Sequence, residues 1–406
     1  MILVHCRWMP GGGRDVAISL LRTAIKQGHH PQKIYTLFSD ASSVAIDNHT
    51  IPIITPWGSW RNAFFVGSPK TPKDHRLWFF LTPLLLLWIS LRLRTEQSTT
   101  ILISSFAVTK NIWLWKKHRR YIYLHSANQY VWSHYKEYSS ILTGWKRRLF
   151  IFGTPIFRFR DKYTNTGPQT PRTLCMANSP DTKRRASKLY RRSSITVVLP
   201  EVSSLYTNRS GQRSHDIITH AISLDHPIKY THCHPAIPSS WYGKYMVVVG
   251  RVSRIIRHQD IILRVCQKCG IPLVIVGHGP DYTKTVAMAQ ATTRCLGRCD
   301  HETILPIILH AKGLINLAYE SFGLNMMEAL LLGTPVLARD CGNAPYMIDH
   351  VSGVLVSDLT DESLTIGMDR FLSTRFYHEE ISFRAKQRYN RYLTTGKVNL
   401  SDSLSE

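Results

Sequence analysis

Acidic residues are scarce in this chain of 406 residues: Asp and Glu number 27 against 51 Lys and Arg, which gives a formal net charge of +24. This excess predicts an anionic partner, which can be nucleic acid, an acidic membrane surface or a phosphorylated substrate. The chain also lacks a repeat of fixed short period, which argues against solenoids and propellers. Its length and its 44% hydrophobic residues predict at least one large core and two α/β domains.

Long apolar runs and export signals are missing as well. The most apolar segment, residues 77–91, is about 15 residues long, shorter than the roughly 18–20 that a membrane-spanning helix needs, so we expect a buried or interfacial helix. No charged leader precedes the first predicted strand. The eight cysteines are not spaced as a disulfide framework. We therefore expect a cytoplasmic protein, peripheral on the cytoplasmic membrane face if its basic surface binds lipid.

Four cysteines form two short pairs, Cys266-x2-Cys269 and Cys295-x3-Cys299. Four thiolates in such pairs can close a tetrahedral zinc site. However, Cys266 and Cys269 lie in a predicted helix and Cys295 and Cys299 flank a predicted strand, and nothing indicates that the pairs face each other. We expect no metal.

Strands and helices alternate in two series. The first covers residues 1–198, with an opening strand at Ile2–Cys6, a loop at Gly11–Gly13, a helix from Val16, strands at Lys33–Leu37, Ile51–Ile54, Thr100–Ser104 and Arg120–Leu124, and a helix at residues 77–92. Residues 199–243 are polar and aperiodic, which indicates a linker and an irregular lead-in. The second series covers residues 244–370. Its predicted strands are Tyr245–Val249, Leu273–Val276, Gly313–Leu317 and Pro335–Ala338, and its predicted helices are Asp260–Cys269, Glu302–His310 and Leu324–Leu332. Residues 371–406 read as a basic helical tail able to cross back onto the first domain. The pattern predicts two Rossmann-like, doubly wound domains facing a cleft.

Glycine loops and two glutamates follow the predicted strands of the second series. Gly250-Arg251 ends one strand, Gly277-His278-Gly279-Pro280 ends another, and the stretch Glu320 to Glu328 leads from a strand end into a helix. Backbone amides at such ends favour phosphate, and carboxylates accept hydrogen bonds from sugar or ribose hydroxyls. The alternative is that Glu320 only favours a helix N-terminus and Glu328 is a solvated helix position.

The stretch from Tyr245 to Val356 resembles the donor-binding domain of the retaining glycosyltransferases of family 4, which have the GT-B fold. The resemblance rests on five ordered motifs: Gly250-Arg251-Val252, Gly277-x-Gly279-Pro280, Cys295-Leu296-Gly297-Arg298, Glu320-x7-Glu328-Ala329 and Gly333-Thr334-Pro335-Val336-Leu337-Ala338. The first half resembles the branch of the O-antigen mannosyltransferases, through Ile34–Leu37, Leu102–Ser105, Leu124-His125-x4-Tyr130-Val131-Trp132 and Ala177-Asn178-Ser179.

The resemblance implies roles for these residues. Arg251 and a second cation clamp the nucleotide diphosphate, Glu320 lies near the donor sugar, and Glu328 holds the ribose. His125 lies under the sugar. The implied donor-binding set further includes Gly12, Gly13, Gly250, Gly277, Gly279, Phe322, Gly323 and Leu324.

The implied activity is transfer of a hexose with retention to a saccharide or lipid-linked saccharide acceptor. Mannose from GDP-mannose is the first choice of donor and a UDP-sugar the alternative. Because the chain contains no Asp-x-Asp, no metal or other cofactor is expected.

Some positions depart from the family pattern. Where relatives have Lys followed by Gly, this chain reads Ile256-Arg257-His258, so the second cation is either Arg257 after a longer loop or missing, with Ile256 in its place. Asn343 and Tyr346 replace a glycine and a glutamate. These departures leave open a catalytically decayed GT-B protein that acts as a basic binding scaffold.

The basic excess is concentrated in residues 146–192, which hold thirteen Lys and Arg against two Asp. Aromatic residues at Trp145, Phe150, Phe152, Phe157 and Phe159 interleave with the cations. This combination predicts contact with an anionic bilayer, the alternative being a solvated basic face. Nucleic acid is not favoured, since no recognised nucleic-acid motif accompanies the charge.

Overall fold

The computed structural model describes residues 1–9, 11–58, 81–105, 108–115, 117–166, 172–200 and 233–395. The chain divides into two compact units, the first formed by Met1–Glu201 with Thr395–Glu406 and the second by Val202–Thr394. Most of the predicted linker, and residues 396–406 of the predicted tail, lie outside the described residues.

The first unit contains an eight-stranded sheet with the order β3-β4-β2-β1-β5-β6-β7-β8. Its strands are β1 (Ile2–Trp8), β2 (Lys33–Ser39), β3 (Ser43–Ile46), β4 (His49–Ile54), β5 (Thr100–Ser105), β6 (Arg119–Leu124), β7 (Thr173–Ala177) and β8 (Thr196–Val197). All neighbours are parallel except β3 and β4, which form an antiparallel hairpin that the sequence pattern did not predict. The chain turns there at Asp47, whose φ of 52° is one that Asp tolerates better than most residues.

The helices of the first unit are Gly12–Lys26, Thr82–Thr95, Tyr135–Ile141, Gly144–Asn165 and Pro180–Tyr190. The predicted glycine loop at Gly11–Gly13 is wrong in part, because Gly12 and Gly13 already belong to the first helical turn and only Gly11, with a φ of 142°, precedes it. The predicted helix at residues 77–92 begins at Thr82 in the described residues and buries Leu85, Leu86, Ile89 and Leu93 against the sheet.

The second unit contains a six-stranded parallel sheet with the order β11-β10-β9-β12-β13-β14. Its strands are β9 (Met246–Val249), β10 (Leu273–Val276), β11 (Thr293–Gly297), β12 (Gly313–Asn316), β13 (Val336–Arg339) and β14 (Gly353–Val356). The central strands are apolar throughout, as expected for strands covered on both faces. The strand order reverses between β9 and β12, where such sheets bind their ligands at the carboxyl ends of the strands.

The helices of the second unit are Arg254–Arg257, Gln259–Lys268, Tyr282–Met288, His301–Leu309, Leu324–Leu331, Ala344–Met347, Asp361–Ser373 and His378–Thr395. Cys295 lies inside β11 and Cys299 beyond it, so the prediction that these two cysteines flank a strand is wrong. In the last helix, Ser382 donates to the Leu331 carbonyl and Arg388 pairs with Asp349. The described part of the predicted tail therefore packs on the second unit.

None of the helices in the described ranges has the length and apolarity needed to cross a membrane. All eight cysteines lie in these ranges, and each is a free thiol.

Candidate functional site

The carboxyl ends of β9 and β12 carry the main cluster of predicted site residues. Gly250 follows β9 with a φ of 138°, a conformation that L-amino acids rarely adopt. Asn325, in the helix after β12, donates to the Val249 carbonyl at 2.9 Å and accepts from Asn316 at 3.1 Å. These hydrogen bonds hold the ends of β9 and β12 and the start of the helix together. Sequence analysis did not identify Asn325 or Asn316.

Gly277 and Gly279 allow the loop after β10 to contact the loop after β9 through backbone atoms. A Cβ at Gly277 would lie 1.8 Å from the Gly250 carbonyl oxygen, and one at Gly279 would lie 2.1 Å from the Val252 carbonyl oxygen. Any larger residue at either position must displace the backbone. The predicted glycines therefore have a steric role.

Arg257 and Glu320 form an ion pair with an Nη1–Oε1 distance of 2.5 Å. Both side chains are partly buried, at 25% and 19% exposure. Arg257 ends a one-turn helix, after which His258 takes a φ of 58°, and its guanidinium lies 3.4 Å from the point that a Cβ of Gly250 would occupy. Of the two alternatives, a missing second cation with Ile256 in its place or Arg257 after a longer loop, the position of Arg257 beside Glu320 and Gly250 favours the second.

Gln259 fixes the loop that carries Arg251. This side chain is fully buried; its Oε1 accepts from the Ser253 amide at 3.0 Å and its Nε2 donates to the Arg251 carbonyl at 3.0 Å. The Arg251 side chain is exposed. The backbone of the loop is therefore held at Arg251 and Ser253, while the side chain of Arg251 is accessible to a ligand.

Asn343 holds the loop that carries Glu320. Its backbone N–H donates to the Glu320 carbonyl at 2.9 Å, and its side-chain Nδ2 donates to the Phe322 carbonyl at 3.0 Å. Next to it, a Cβ at Gly342 would lie 2.4 Å from the Glu320 carbonyl oxygen. The departure at Asn343 therefore supports the site loop, while Tyr346, the other departure, is exposed.

Glu328 lies on the helix Leu324–Leu331 and is only 6% exposed. The alternative that Glu328 is a solvated helix position is therefore wrong. Gly323 precedes this helix with a φ of 89°. Of the other predicted donor-binding residues of this loop, Phe322 is buried and Leu324 is half-buried.

In the first unit, His125 is linked by hydrogen bonds to two further side chains. His125 follows β6, and its Nε2 lies 2.7 Å from Ser104 Oγ, which in turn lies 3.0 Å from His5 Nδ1. His5 and Ser104 are register partners on β1 and β5, the strands at which the order of this sheet reverses. All three side chains are buried. Sequence analysis found only His125, because the partnership depends on strand order.

Both histidines are neutral at physiological pH. Burial lowers the pKa of His5 to about 4, and burial together with the nearby His5 lowers the pKa of His125 to about 3. A neutral imidazole has one donor and one acceptor nitrogen. The arrangement therefore suits hydrogen bonding to a polar ligand rather than charge neutralisation.

Gly12 and Gly13 lie at the start of the helix Gly12–Lys26, in the same first turn as Asp15. Burial raises the pKa of Asp15 to about 6. The structure thus brings Arg257, Glu320 and the glycines 250, 277 and 279 together in the second unit, and places His125, Gly12 and Gly13 in the first unit. Among the described residues, no group of three His, Cys, Asp or Glu side chains is arranged to hold a metal ion.

Comparison with known proteins adds a family match. Residues 242–390 match the model of the family described as "Glycosyl transferases group 1". A D-inositol 3-phosphate glycosyltransferase of Mycobacterium marinum is 35% identical over 128 residues, which are 28% of this chain and 27% of that protein. The matched stretch thus spans about a quarter of that relative.

Solved structures share the fold over the whole chain. HepE of Anabaena, solved in complex with UDP, has a TM-score of 0.60 at 16% identity. The alignment covers 100% of this chain and 100% of that chain. Sucrose-phosphate synthase of Thermosynechococcus elongatus has a TM-score of 0.62 at 13% identity, with 99% of this chain and 96% of that chain covered. The predicted GT-B fold of two Rossmann-like units is confirmed, and the predicted resemblance to glycosyltransferases is confirmed for residues 242–390. The mannosyltransferase branch and the stereochemistry stay predictions.

Proposed function

We propose that this chain, whose residues 242–390 match group 1 glycosyl transferases, transfers a hexose from a nucleotide sugar to a saccharide or lipid-linked saccharide acceptor. The observation that carries the proposal is the Arg257–Glu320 pair at the carboxyl ends of β9 and β12. It places a phosphate-binding cation next to a hydroxyl-binding carboxylate, and a sugar diphosphate needs both.

The diphosphate is bound by guanidinium groups and backbone amides. Arg257 uses one nitrogen for Glu320, and a guanidinium offers five N–H donors, so the others remain able to bind phosphate oxygens. Arg251, exposed on a loop held by Gln259, binds the diphosphate together with Arg257. The amides at the start of the helix Leu324–Leu331 add positive potential.

The same groups stabilise the charge that develops in the reaction. As the bond between the sugar C1 and the phosphate oxygen breaks, its electron pair moves to the phosphate, where the two arginines stabilise it. The acceptor hydroxyl forms the new bond to C1 on the same face, and its proton passes to a donor phosphate oxygen. This route retains the configuration at C1 and requires no protein base. We propose that no metal or cofactor takes part, since arginines supply the positive charge.

The carboxylates and the histidine position the donor. Glu320 accepts hydrogen bonds from the sugar hydroxyls and the buried Glu328 from the ribose. His125, neutral and hydrogen-bonded to Ser104, binds a further sugar hydroxyl, and Gly12 and Gly13 leave room for the donor. GDP-mannose is our first choice of donor, and a UDP-sugar, supported by the UDP complex of HepE, is the alternative.

The test is release of the nucleoside diphosphate from a panel of GDP- and UDP-sugars. Wild type is expected to release GDP from GDP-mannose or UDP from a UDP-sugar. Glu320→Gln removes the charge that pairs with Arg257 and is expected to lower turnover at least about 100-fold, while Glu362→Gln, on the exposed start of the helix Asp361–Ser373, leaves it unchanged. Nucleotide binding without release from any donor would favour the catalytically inactive scaffold instead.

We also propose that the chain acts on the cytoplasmic face of an anionic membrane, and that nucleic acid is not its partner. The free thiol state of all eight cysteines is compatible with a reducing compartment.

A further inference from the structure

The helix Gly144–Asn165 has an inverted distribution of polar and apolar residues. Its buried residues are Thr154, Asp161 and Asn165, all of them polar. Its solvent face instead carries six large apolar or aromatic side chains, between 45% and 78% exposed: Trp145, Leu149, Phe152, Ile156, Phe159 and Tyr163. We call these six side chains the exposed stripe.

The exposed stripe is continuous along the helix. Its members are spaced by four, three, four, three and four residues, so at about 100° per residue they all lie within about 60° of the direction opposite Asp161. Five turns of helix therefore present one apolar face. Apolar faces of this size on a protein surface mark interaction sites.

Cations border the exposed stripe on both sides. With the same helical rotation, Arg148 and Lys162 lie along one edge, and Lys146 and Arg160 along the other. Long basic side chains can place their charges in the headgroup region while their stems cover apolar surface. This arrangement of an apolar face, aromatic residues and flanking Lys and Arg is that of helices that lie in the plane of a membrane interface.

A buried polar network keeps this helix in place with the stripe outwards. Asp161 pairs with Lys110 at 2.8 Å, with both side chains fully buried, and accepts from Trp132 at 2.9 Å and from Tyr190 at 2.8 Å. A rotation that buried the stripe would expose this network and separate a buried ion pair, which is strongly unfavourable. The stripe is thus a fixed surface of the first unit.

Further apolar side chains are exposed elsewhere on the first unit. Residues 111–113 contact two helices, because Asn111 donates to Asp161 and the Trp113 amide donates to Ser90. The second helix, Thr82–Thr95, exposes Leu84, Leu87 and Leu91, and Trp113 itself is exposed. Exposed apolar residues of the first unit are therefore not confined to the helix Gly144–Asn165.

We propose that the exposed stripe is an in-plane anchor that inserts into the interface of an anionic lipid bilayer. Charge decides between a bilayer and a second copy of this chain. In a two-fold dimer through the stripe, each cationic border would meet the same surface of its partner, and like charges would repel. An anionic bilayer is complementary to both borders and to the net charge of +24. The proposal does not depend on glycosyl transfer.

Flotation of the full chain with vesicles tests the anchor. The vesicles are pure phosphatidylcholine, or equal parts phosphatidylcholine and phosphatidylglycerol. Wild type is expected to bind the anionic vesicles at least about tenfold more tightly than the neutral ones, and to lose most of that difference when ionic strength rises from about 0.05 to 0.5 M. Equal binding to both vesicles, or binding to neither, would overturn the proposal.

Two sets of variants separate the apolar and the charged contributions. Phe152→Ser with Phe159→Ser removes two exposed rings, so the fold should be retained, and is expected to weaken anionic-vesicle binding at least about tenfold. Arg148→Gln with Arg160→Gln is expected to weaken it at least about fivefold. The control, Ile366→Ser, changes an exposed apolar residue of the second unit and should bind like wild type.

Wild-type binding by the Phe152/Phe159 variant would overturn the anchor and leave only surface charge. A wild-type dimer in solution that this variant converts to a monomer, without vesicle binding, would show that the stripe covers a second copy instead.

Discussion

Replacement of Arg257 by Gln is the change that most directly separates the two alignments of the second cation. The pair with Glu320, at 2.5 Å, would be lost, and with it a charge-assisted contact to the donor diphosphate. A hydrogen bond to a charged group contributes about 1.5–3 kcal/mol, and about 1.4 kcal/mol corresponds to a factor of ten. We therefore expect the Kd of the nucleoside diphosphate to rise about 10- to 150-fold.

The stability of the Arg257→Gln variant should change little. Both side chains of the pair are partly exposed, at 25% and 19%, so solvent screens the interaction and its loss should cost about 0.5–1 kcal/mol of unfolding free energy. For a unit of this size, that lowers the Tm by only about 1–4 °C. We therefore expect a higher Kd for the nucleoside diphosphate together with a nearly unchanged Tm.

Isothermal titration of GDP and UDP, with thermal unfolding in parallel, measures both quantities. The matched control is Arg254→Gln, in the same turn of helix, because Arg254 pairs with Asp260 at 3.6 Å. If Arg257→Gln binds the nucleotide as tightly as wild type does, Arg257 is not the second cation, and the reasoning from the Glu320 pair is refuted.

Three further predictions concern the glycine contact and the histidine pair. Gly277→Ala places a Cβ 1.8 Å from the Gly250 carbonyl oxygen and should lower the free energy of unfolding, measured in urea, by at least about 2 kcal/mol. The control Gly153→Ala, whose Cβ would meet its nearest side-chain neighbour at 3.9 Å, should be neutral or stabilising. Equal effects of the two substitutions would contradict the steric role of Gly277. Ser104→Ala removes the hydroxyl between His5 and His125 and should lower kcat at least about tenfold, with the nucleotide Kd unchanged. Ser104→Thr, which keeps a hydroxyl, should restore part of the lost kcat. A parallel loss of nucleotide binding in Ser104→Ala would point to a structural role alone. Because the pKa values of His5 and His125 fall from 6.5 to about 4 and about 3, the unfolded state takes up protons first as the pH decreases. The stabilisation from the two neutral histidines should therefore be full above about pH 6.5 and decline towards pH 4, with a loss of about 1–2 kcal/mol of unfolding free energy per histidine at pH 5. A His125→Asn variant whose Tm has the same pH dependence as that of the wild type would contradict this contribution of His125.

The second unit was predictable from sequence because its signals are local. Strands such as β10 are short apolar runs, and β10 has the predicted bounds of Leu273–Val276. The glycines at 277 and 279 follow directly from the sequence pattern, since a backbone contact of this kind admits no side chain. The position of Arg257 needed the structure, because a one-residue difference in loop length decides which side chain lies beside Glu320.

Residues whose role depends on tertiary contacts could not be predicted from the sequence. Asn343 looked like a departure from the family pattern, yet it holds the Glu320 loop. His5 and Ser104 come together only because β1 and β5 are neighbours in the sheet, a fact of strand order that no local pattern carries. The run of three glycines predicts a loop, but Gly12 and Gly13 lie in a first helical turn, where the low helix propensity of glycine matters least.

The aromatic residues of the basic stretch show the same limit. Trp145, Phe152 and Phe159 are exposed, as a membrane contact requires, but Phe150 and Phe157 are half-buried, and Phe150 stacks on Tyr135. The expectation that all five would be available to a bilayer is wrong for these two. Leu149, Ile156 and Tyr163 belong to the exposed face instead, which becomes evident only when the helix bounds and its buried side are known.

A crystal structure of the full chain with GDP or UDP, whichever binds, tests the central claim most directly. We expect the two phosphates between the loop after β9 and the start of the helix Leu324–Leu331, with guanidinium nitrogens of Arg251 and Arg257 at hydrogen-bond distance from their oxygens. A diphosphate bound elsewhere, or a chain that binds neither nucleotide, would contradict it.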